Sequence, residues 1–309
     1  MREYWRGSAE AWECDEMGHM NVRFWVARCM DAIVQLGEDI GCGGAFSVGA
    51  TATLVPVRQH IKFLREARAG APLFARGGIV AVADTTLTFY CEIVHSFSGE
   101  IGATFTTILS HVDAKTARAF PFPKRVAAQA AALKIAIPHH GLPRSIDMDS
   151  EVATFEPSAD LANGFVRVGL SGVLNDDVDV FNRLYKEGVI GRVSNAMPNL
   201  LSQWREEAIV EMSEIDGVPR TAGAAVLEYR LDYLAWPQMG DLTAVFSGLL
   251  EVGEKTMKLR HVLVDPLTGS PWSICEAVAV TLDLAARKII ATPPRAKAAL
   301  EAMRVRLAP

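Results

Sequence analysis

The sequence predicts an α+β protein built from two copies of one unit, each an antiparallel sheet wrapped around a long central helix. Three observations carry this prediction. A long helical pattern follows an acidic turn twice, a run of strand-like segments follows each helix, and each series ends in proline and an alanine-rich helix. An apolar helix and a run of antiparallel strands bury each other when the sheet curls round the helix.

The first copy begins with an alternating stretch, Tyr4–Trp12, that leads into an acidic turn. Apolar residues then recur at helical spacing from Val22 to Ile40, and glycines from Gly41 onward end this helix. The predicted strands are rich in Val, Ile, Thr and Phe and comprise Thr51–Leu64, Leu73–Ala83, Thr85–Phe97 and Ile101–Val112. An alanine-rich helix, Lys124–Ala136, closes the copy.

The second copy repeats this order. A strand, Gly164–Val173, precedes a second acidic turn and a long helical segment, Leu184–Met212. Pro198 lies inside this segment, with Gly188 and Gly191 before it, so we expect a kink or two separate helices. The predicted strands and closing helix that follow are Thr221–Leu234, Asp241–Val252, Thr256–Asp265, Trp272–Asp283 and Arg295–Arg306.

Glycine, proline and aspartate landmarks keep a nearly constant offset between the two copies, which favours a duplication. We therefore predict an N-terminal unit at 1–137, a linker at 138–150 and a C-terminal unit at 151–309. A chain of 309 residues, half of them hydrophobic, suits two domains at the usual size of roughly 150 residues each.

Composition excludes several classes of protein. The net charge is −5 and no run is dense in Lys or Arg, which argues against a nucleic-acid partner. Residues 1–12 are polar and charged, unlike a signal peptide, and no apolar run approaches the ~18 residues of a membrane span. Five scattered cysteines, without a C-x-x-C pair, predict neither a disulfide framework nor a zinc site. We expect a cytoplasmic protein without a metal.

The motif D-E-M-G-H-M-N, Asp15–Asn21, stands directly before the first long helix. Together with the downstream stretch His60–Leu73, it resembles the hotdog-fold acyl-CoA thioesterases, specifically the 4-hydroxybenzoyl-CoA thioesterase-like group. The resemblance covers nearly the whole chain and implies an α+β double hotdog, with two units in tandem. The second copy departs from the motif, because Asn182 and Arg183 stand at the positions of Gly18 and His19.

This resemblance implies hydrolysis of an acyl-CoA thioester to free CoA and a carboxylic acid. CoA would be part of the small-molecule substrate, and no separate cofactor or metal is implied. In such proteins the site lies between two hotdog units, with a carboxylate at the helix start of one unit facing a strand of the other. The resemblance also implies a homo-oligomer, as a dimer of double-hotdog chains, with no membrane or nucleic-acid partner.

The predicted catalytic residues are Asp15 and its counterpart in the second copy, Asp179, each as nucleophile or general base. The free N–H groups of a helix start stabilise the negative charge that develops when a carbonyl is attacked. The alternative for Asp15 is a helix cap without chemistry. The alternative for Asp179, which lies close to Asp176 and Asp177, is a solvated acidic turn.

The predicted substrate-binding residues are Gly18, His19, Asn21, Arg183 and Tyr185. Gly18 permits close approach of the backbone to a ligand, and His19 can orient the substrate, donate to the thioester oxygen or tune Asp15. The alternatives are a structural role for His19, a helix cap for Asn21 and simple packing for Tyr185.

Two other functions remain open at this point. The first is hydration or dehydration of an enoyl-CoA or hydroxyacyl-CoA, although hotdog hydratases resemble one another in a longer Asp- and His-bearing segment that this sequence lacks. The second is a non-catalytic acyl-CoA-binding protein in which Asp15 and Asp179 merely cap helices. Ligand binding without turnover would distinguish this second function from hydrolysis.

Overall fold

The structure is a computed structural model that describes residues 1–306, so the end of the predicted unit 151–309 lies outside the described residues. Contacts divide the chain into two units. The first comprises Met1–Arg144 and Val173–Gly191, and the second comprises Ser145–Gly172 and the chain from Arg192 onward. The second acidic turn therefore belongs to the first unit, whereas the sequence alone assigned it to the C-terminal unit.

The first unit is an antiparallel sheet packed on a long helix. Its elements are β1 (Arg2–Ser8), α1 (Val22–Asp39), β2 (Ala52–Phe63), β3 (Pro72–Val82), β4 (Thr86–His95), β5 (Ile101–Asp113) and α2 (Lys124–Ala132). The strands pair in the order β1, β3, β4, β5, β2. Each predicted strand and helix of the first copy is thus present, with ends that differ by a few residues.

Burial of one face of α1 forms the core of this unit. Val26, Cys29, Ile33 and Leu36 are fully buried, as their spacing of three and four residues requires for a single helix face. Trp25 joins them, and its indole Nε1 donates to the Met20 carbonyl at 3.1 Å. Together these contacts fix the position of the start of α1 on the sheet.

The second unit repeats the strand order. Its elements, together with those that join it to the first unit, are α3 (Pro157–Ala162), β6 (Val166–Gly172), α4 (Lys186–Ala196), α5 (Pro198–Asp216), β7 (Ala222–Tyr233), β8 (Leu242–Val252), β9 (Thr256–Val264), β10 (Pro271–Asp283), β11 (Lys288–Ile289) and α6 (Pro294–Ala302). The strands pair antiparallel in the order β6, β8, β9, β10, β7, and the short β11 lies beside β10. The sequence did not predict α3 or β11.

Irregular features of the two strand series recur at matching places. The pairing of β3 with β4 shifts at Ile79, and that of β8 with β9 shifts at Leu249. Ile79 also forms a parallel bridge with Lys134, as Leu249 does with Arg304. Because bulges and isolated bridges are local departures from regular pairing, their recurrence supports duplication more strongly than strand count does.

The division of the second long helix was predicted from Pro198. α4 ends at Ala196 and α5 begins at Pro198. Proline has no N–H to donate and its ring crowds the preceding turn, so it begins a helix readily but interrupts one. Gly188 and Gly191, in contrast, lie within α4 without breaking it. Within residues 1–306, no helix is long and apolar enough to cross a membrane.

Candidate active site

The first acidic loop, Asp15–Asn21, is a closed turn held by three hydrogen bonds around Asp15. The Asp15 N–H donates to the His19 carbonyl (3.0 Å), and the Gly18 N–H donates to the Asp15 carbonyl (2.9 Å). The Met17 N–H donates to Asp15 Oδ1 (3.0 Å). Gly18 has φ +76°, a left-handed conformation that favours glycine. The loop therefore fixes the Asp15 carboxylate by its own backbone.

The second acidic loop, Asp179–Tyr185, has the same backbone. The Asp179 N–H donates to the Arg183 carbonyl (2.7 Å), and the Asn182 N–H donates to the Asp179 carbonyl (2.9 Å). The Phe181 N–H donates to Asp179 Oδ1 (2.9 Å). Asn182 has φ +59°, and asparagine is one of the few residues that tolerate this region. The two loops match position by position, and both lie in the first unit.

The helix cap beside the first loop is Asn21 and not Asp15. The Arg23 N–H donates to Asn21 Oδ1 at 3.0 Å, which satisfies one of the free N–H groups at the start of α1. The sequence left a helix cap as the alternative for both residues, and the structure assigns that function to Asn21. Asp15 is thus free of the capping role and remains beside the helix start.

Burial shifts the pKa of Asp15. Its side chain is 15% exposed, and burial raises the pKa of the carboxyl above its ordinary value of 3.8, an effect that His19 and two backbone N–H groups only partly offset. His19 Nδ1 lies 3.4 Å from Asp15 Oδ2, and His19 Nε2 lies 3.8 Å from Glu66 Oε1. The imidazole therefore lies between two carboxylates. A carboxylate of raised pKa is a stronger base than an exposed one.

The Asp179 carboxylate differs because cations neutralise it. Lys186 Nζ donates to Asp179 Oδ2 at 2.8 Å, and Arg183 Nε lies 3.9 Å from the same oxygen. The Lys186 side chain is 8% exposed, and burial lowers its pKa although Asp179 counteracts this. The position matching Lys186 in the first copy is Val22. Asp15 consequently has no counterpart of this lysine.

The other predicted binding residues stay with their own loop. Arg183 is almost fully buried, its Nη2 donates to the Ala114 carbonyl (3.2 Å), and its guanidinium lies 4.7 Å from the Phe181 ring centre. Tyr185 is 40% exposed, and its N–H donates to the Asp177 carbonyl (2.8 Å). The structure thus groups Asp15, Gly18, His19 and Asn21 in one loop, and Asp179, Arg183 and Tyr185 in the other.

Two residues of these sites were missed by the sequence analysis. Lys186 had a visible indication, since it places a charge at the start of a helix where the first copy has Val22. Glu66 had none, because it follows β2 in the chain and approaches His19 only through folding. No group of three or more His, Cys, Asp or Glu side chains that could hold a metal occurs within residues 1–306.

The arrangement of an acidic loop before a buried helix, present twice, agrees with a family model. The model of the Thioesterase-like superfamily matches residues 9–130 and 173–300. The chain belongs to the Thioesterase-like superfamily. Each matched segment of this Thioesterase-like chain contains one acidic loop and one strand series, which confirms the predicted family and the α+β double hotdog.

One curated relative of this Thioesterase-like chain is the L-carnitine dehydrogenase/betainyl-CoA thioesterase of Rhizobium meliloti (strain 1021). It is 30% identical over 119 residues, which cover 38% of this chain and 24% of the relative. The matched region thus spans about a quarter of the relative's length.

Two solved structures match almost the whole length of this Thioesterase-like chain. An acyl-ACP thioesterase from Bacteroides thetaiotaomicron VPI-5482 is 14% identical, with a TM-score of 0.61 over 89% of this chain and 96% of the other. The 12:0-ACP thioesterase from Umbellularia californica is 12% identical, with a TM-score of 0.63 over 89% and 92%. At such identities the likeness shows the fold alone.

Proposed function

We propose that the chain hydrolyses an acyl-CoA thioester to CoA and a carboxylic acid, with Asp15 as the catalytic carboxylate. The observation that carries this proposal is the desolvated Asp15, held by its own loop beside the start of α1 and 3.4 Å from His19. Membership of the Thioesterase-like superfamily supports the reaction. The curated relative, whose name includes a betainyl-CoA thioesterase, supports CoA as the thiol.

The chemistry needs a base or nucleophile and a site for developing negative charge. As a general base, ionised Asp15 takes a proton from a water molecule whose oxygen attacks the thioester carbonyl. The tetrahedral intermediate then expels the CoA sulfur, which receives a proton from the Asp15 carboxyl or from His19. As a nucleophile, Asp15 would instead form a mixed anhydride that water hydrolyses in a second step. The positive end of α1 favours the oxyanion in either case.

The two acidic loops are proposed to contribute unequally. Asp179 Oδ2 accepts from the Lys186 ammonium at 2.8 Å, whereas Asp15 faces His19 at 3.4 Å, so Asp179 is less available to a water molecule or a thioester carbonyl. Gly18 and His19 would contact the thioester in the Asp15 site, while Arg183 and Tyr185 would act in substrate binding beside Asp179. The homo-oligomer and the cytoplasmic location remain predictions.

The test of this function is an assay in which chromatography monitors the release of CoA. The substrates are short, long, branched, aromatic and hydroxylated acyl-CoAs. An acyl-ACP is included to test whether the substrate thiol is CoA or an acyl carrier protein. An enoyl-CoA is included to test for hydration. We expect equal amounts of CoA and carboxylic acid from at least one acyl-CoA. Binding without release of CoA from any of them would contradict hydrolysis and favour an acyl-CoA-binding protein. Conversion of the enoyl-CoA alone would favour a hydratase.

The acid limb of the pH profile should report Asp15. Activity needs the ionised carboxylate, and burial raises the pKa of Asp15, so kcat/KM should fall with acidification already at a pH above 3.8. Because His19 lowers the pKa of Asp15, the His19→Gln variant should shift this limb to higher pH. The measurement is kcat/KM against pH for both proteins, with circular dichroism as the folding control. If the acid limb does not shift in the variant, His19 does not influence the ionisation of Asp15 in the active enzyme.

A further inference from the structure

The first unit contains a cavity of about 380 Å³ at the carboxyl end of α1. The loop that follows α1, the start of β2, the end of β5 and the start of α2 form its walls. The 18 residues of α1 separate this end from the first acidic loop, a length of about 27 Å at 1.5 Å per residue. The cavity is therefore distinct from the Asp15 site.

Arg125 gives the cavity a positive wall. It lies in the first turn of α2 and lines the cavity, where its guanidinium donates to the Gly41 carbonyl at 3.3 Å. The residues that line the cavity are all described, and among them only Arg125 carries a full charge at neutral pH. The start of α2 lacks a side-chain cap, so its free N–H groups add to the positive potential.

His111 supplies a buried hydrogen-bond acceptor in the same cavity. It is 4% exposed, and its Nδ1 lies 3.1 Å from the Phe120 carbonyl oxygen, so Nδ1 must carry the proton in that bond. The ring also stacks on Phe122, with centres 4.7 Å apart. In this tautomer Nε2 is an acceptor, and no hydrogen bond satisfies it within the described chain. A ligand that binds here would offer it a donor.

Several N–H groups of the glycine-rich loop after α1 are already used within the structure. Cys42 donates to the Gly37 carbonyl (2.8 Å), Gly44 to Glu38 Oε1 (3.0 Å) and Ala45 to the Cys42 carbonyl (3.0 Å). Burial also raises the pKa of the Cys42 thiol, although Arg125 opposes this, so the thiol is neutral and unreactive at neutral pH. The cavity is therefore suited to binding and not to covalent chemistry.

A second guanidinium lies close to this wall. Arg183 Nε and Nη1 are buried without a hydrogen-bond partner, while its Nη2 donates to the Ala114 carbonyl. The Ala114 N–H in turn donates to the carbonyl of Thr51, which lines the cavity (3.0 Å). Glu38, which accepts the Gly44 N–H, and Asp179 offset this more distant charge. The preference for an anionic ligand therefore rests on Arg125, which lines the cavity.

We propose that this cavity binds a small organic carboxylate that also carries a hydroxyl group. The carboxylate meets Arg125 and the free N–H groups at the start of α2, and the hydroxyl donates to His111 Nε2. The hydrocarbon part packs against Ala45, Ala50 and Leu54, which line the remaining wall. A cavity of this size is large enough for a molecule of a few carbon atoms.

The test is isothermal titration of the full chain with 3-hydroxybutyrate, butyrate and inorganic phosphate at constant ionic strength. We expect 3-hydroxybutyrate to bind more tightly than butyrate by about fivefold or more, as the loss of one buried hydrogen bond implies. The Arg125→Gln variant should bind it about tenfold more weakly or worse, because a charge-assisted contact is lost. Lys124→Gln is the matched control, since Lys124 neighbours Arg125 without lining the cavity.

The His111→Asn variant tests the hydroxyl contact separately. Asparagine can still donate to the Phe120 carbonyl but lacks the Nε2 acceptor, so the preference for 3-hydroxybutyrate over butyrate should disappear. Urea unfolding confirms that each variant is folded. The proposal is wrong if neither carboxylate binds, if phosphate binds more tightly than both, or if Lys124→Gln weakens binding as much as Arg125→Gln does.

Discussion

Replacement of Asp15 with asparagine is expected to lower kcat/KM for thioester hydrolysis by about 10²- to 10⁴-fold, the usual contribution of a positioned acid or base. The amide neither accepts a proton from water nor attacks a carbonyl. Its Oδ1 can still accept the Met17 N–H, so the first acidic loop should keep its shape. The measurement is CoA release under single-substrate conditions with the best acyl-CoA of the panel.

The same variant should be as stable as the wild type or more stable at neutral pH. The folded pKa of Asp15 lies above 3.8, so between that value and the folded pKa the folded state holds more protons than the unfolded state. The contribution of Asp15 to the free energy of unfolding therefore falls as pH rises through that window. Asparagine does not ionise, so the variant does not lose this contribution. Urea unfolding of both proteins at pH 7 and at pH 4 measures the sign of the difference in their free energy of unfolding. Full activity in Asp15→Asn would remove Asp15 from the mechanism.

Replacement of Asp179 with asparagine is expected to lower the stability of the protein and to leave most of its activity. It removes the carboxylate that accepts from the buried Lys186 ammonium, which should lower the free energy of unfolding by about 2–3 kcal/mol, less than for a fully buried pair because Asp179 is 20% exposed. The folded fraction should keep most of its kcat/KM, since Asp15 is untouched. The measurements are the urea unfolding midpoint and the activity per folded molecule.

A double-mutant cycle separates the ion pair from other effects at this position. Lys186→Met alone removes the buried cation, and in combination with Asp179→Asn it should restore most of the lost stability. Asp15→Asn is the matched control, because it makes the same substitution at the corresponding place in the same loop backbone. Loss of activity in Asp179→Asn with unchanged stability would show instead that the second loop is a catalytic site.

These expectations give the duplicated loops different roles despite a common backbone. The hydrogen bonds around Asp15 and Asp179 agree closely, from the N–H of each aspartate to the positive φ of Gly18 and Asn182. The side chains around the carboxylate differ, with His19 and Val22 in one copy and Arg183 and Lys186 in the other. The lysine gives Asp179 an ammonium partner at 2.8 Å, whereas the partner of Asp15 is His19 at 3.4 Å.

The sequence by itself determined the elements whose pattern is local. Helical spacing placed α1 within one residue of its observed ends, alternation and a high content of Val, Ile, Thr and Phe located the strands, and Pro198 divided the second helix. The motif Asp15–Asn21, together with the stretch His60–Leu73, pointed to the family that the family model confirms. Periodicity and turn chemistry depend on neighbouring residues in the chain, so a single sequence is enough to predict them.

Tertiary structure alone decided which distant groups meet. The chain places Glu66 beside His19, brings Arg183 against Ala114 and joins His111, Arg125 and the loop after α1 into one cavity. It also decided that Asp15 is desolvated, which raises its pKa. Burial and long-range contacts depend on residues that are tens of positions apart in the chain, so no local sequence pattern predicts them. The sequence therefore identified both aspartates, and only the fold showed that their environments differ.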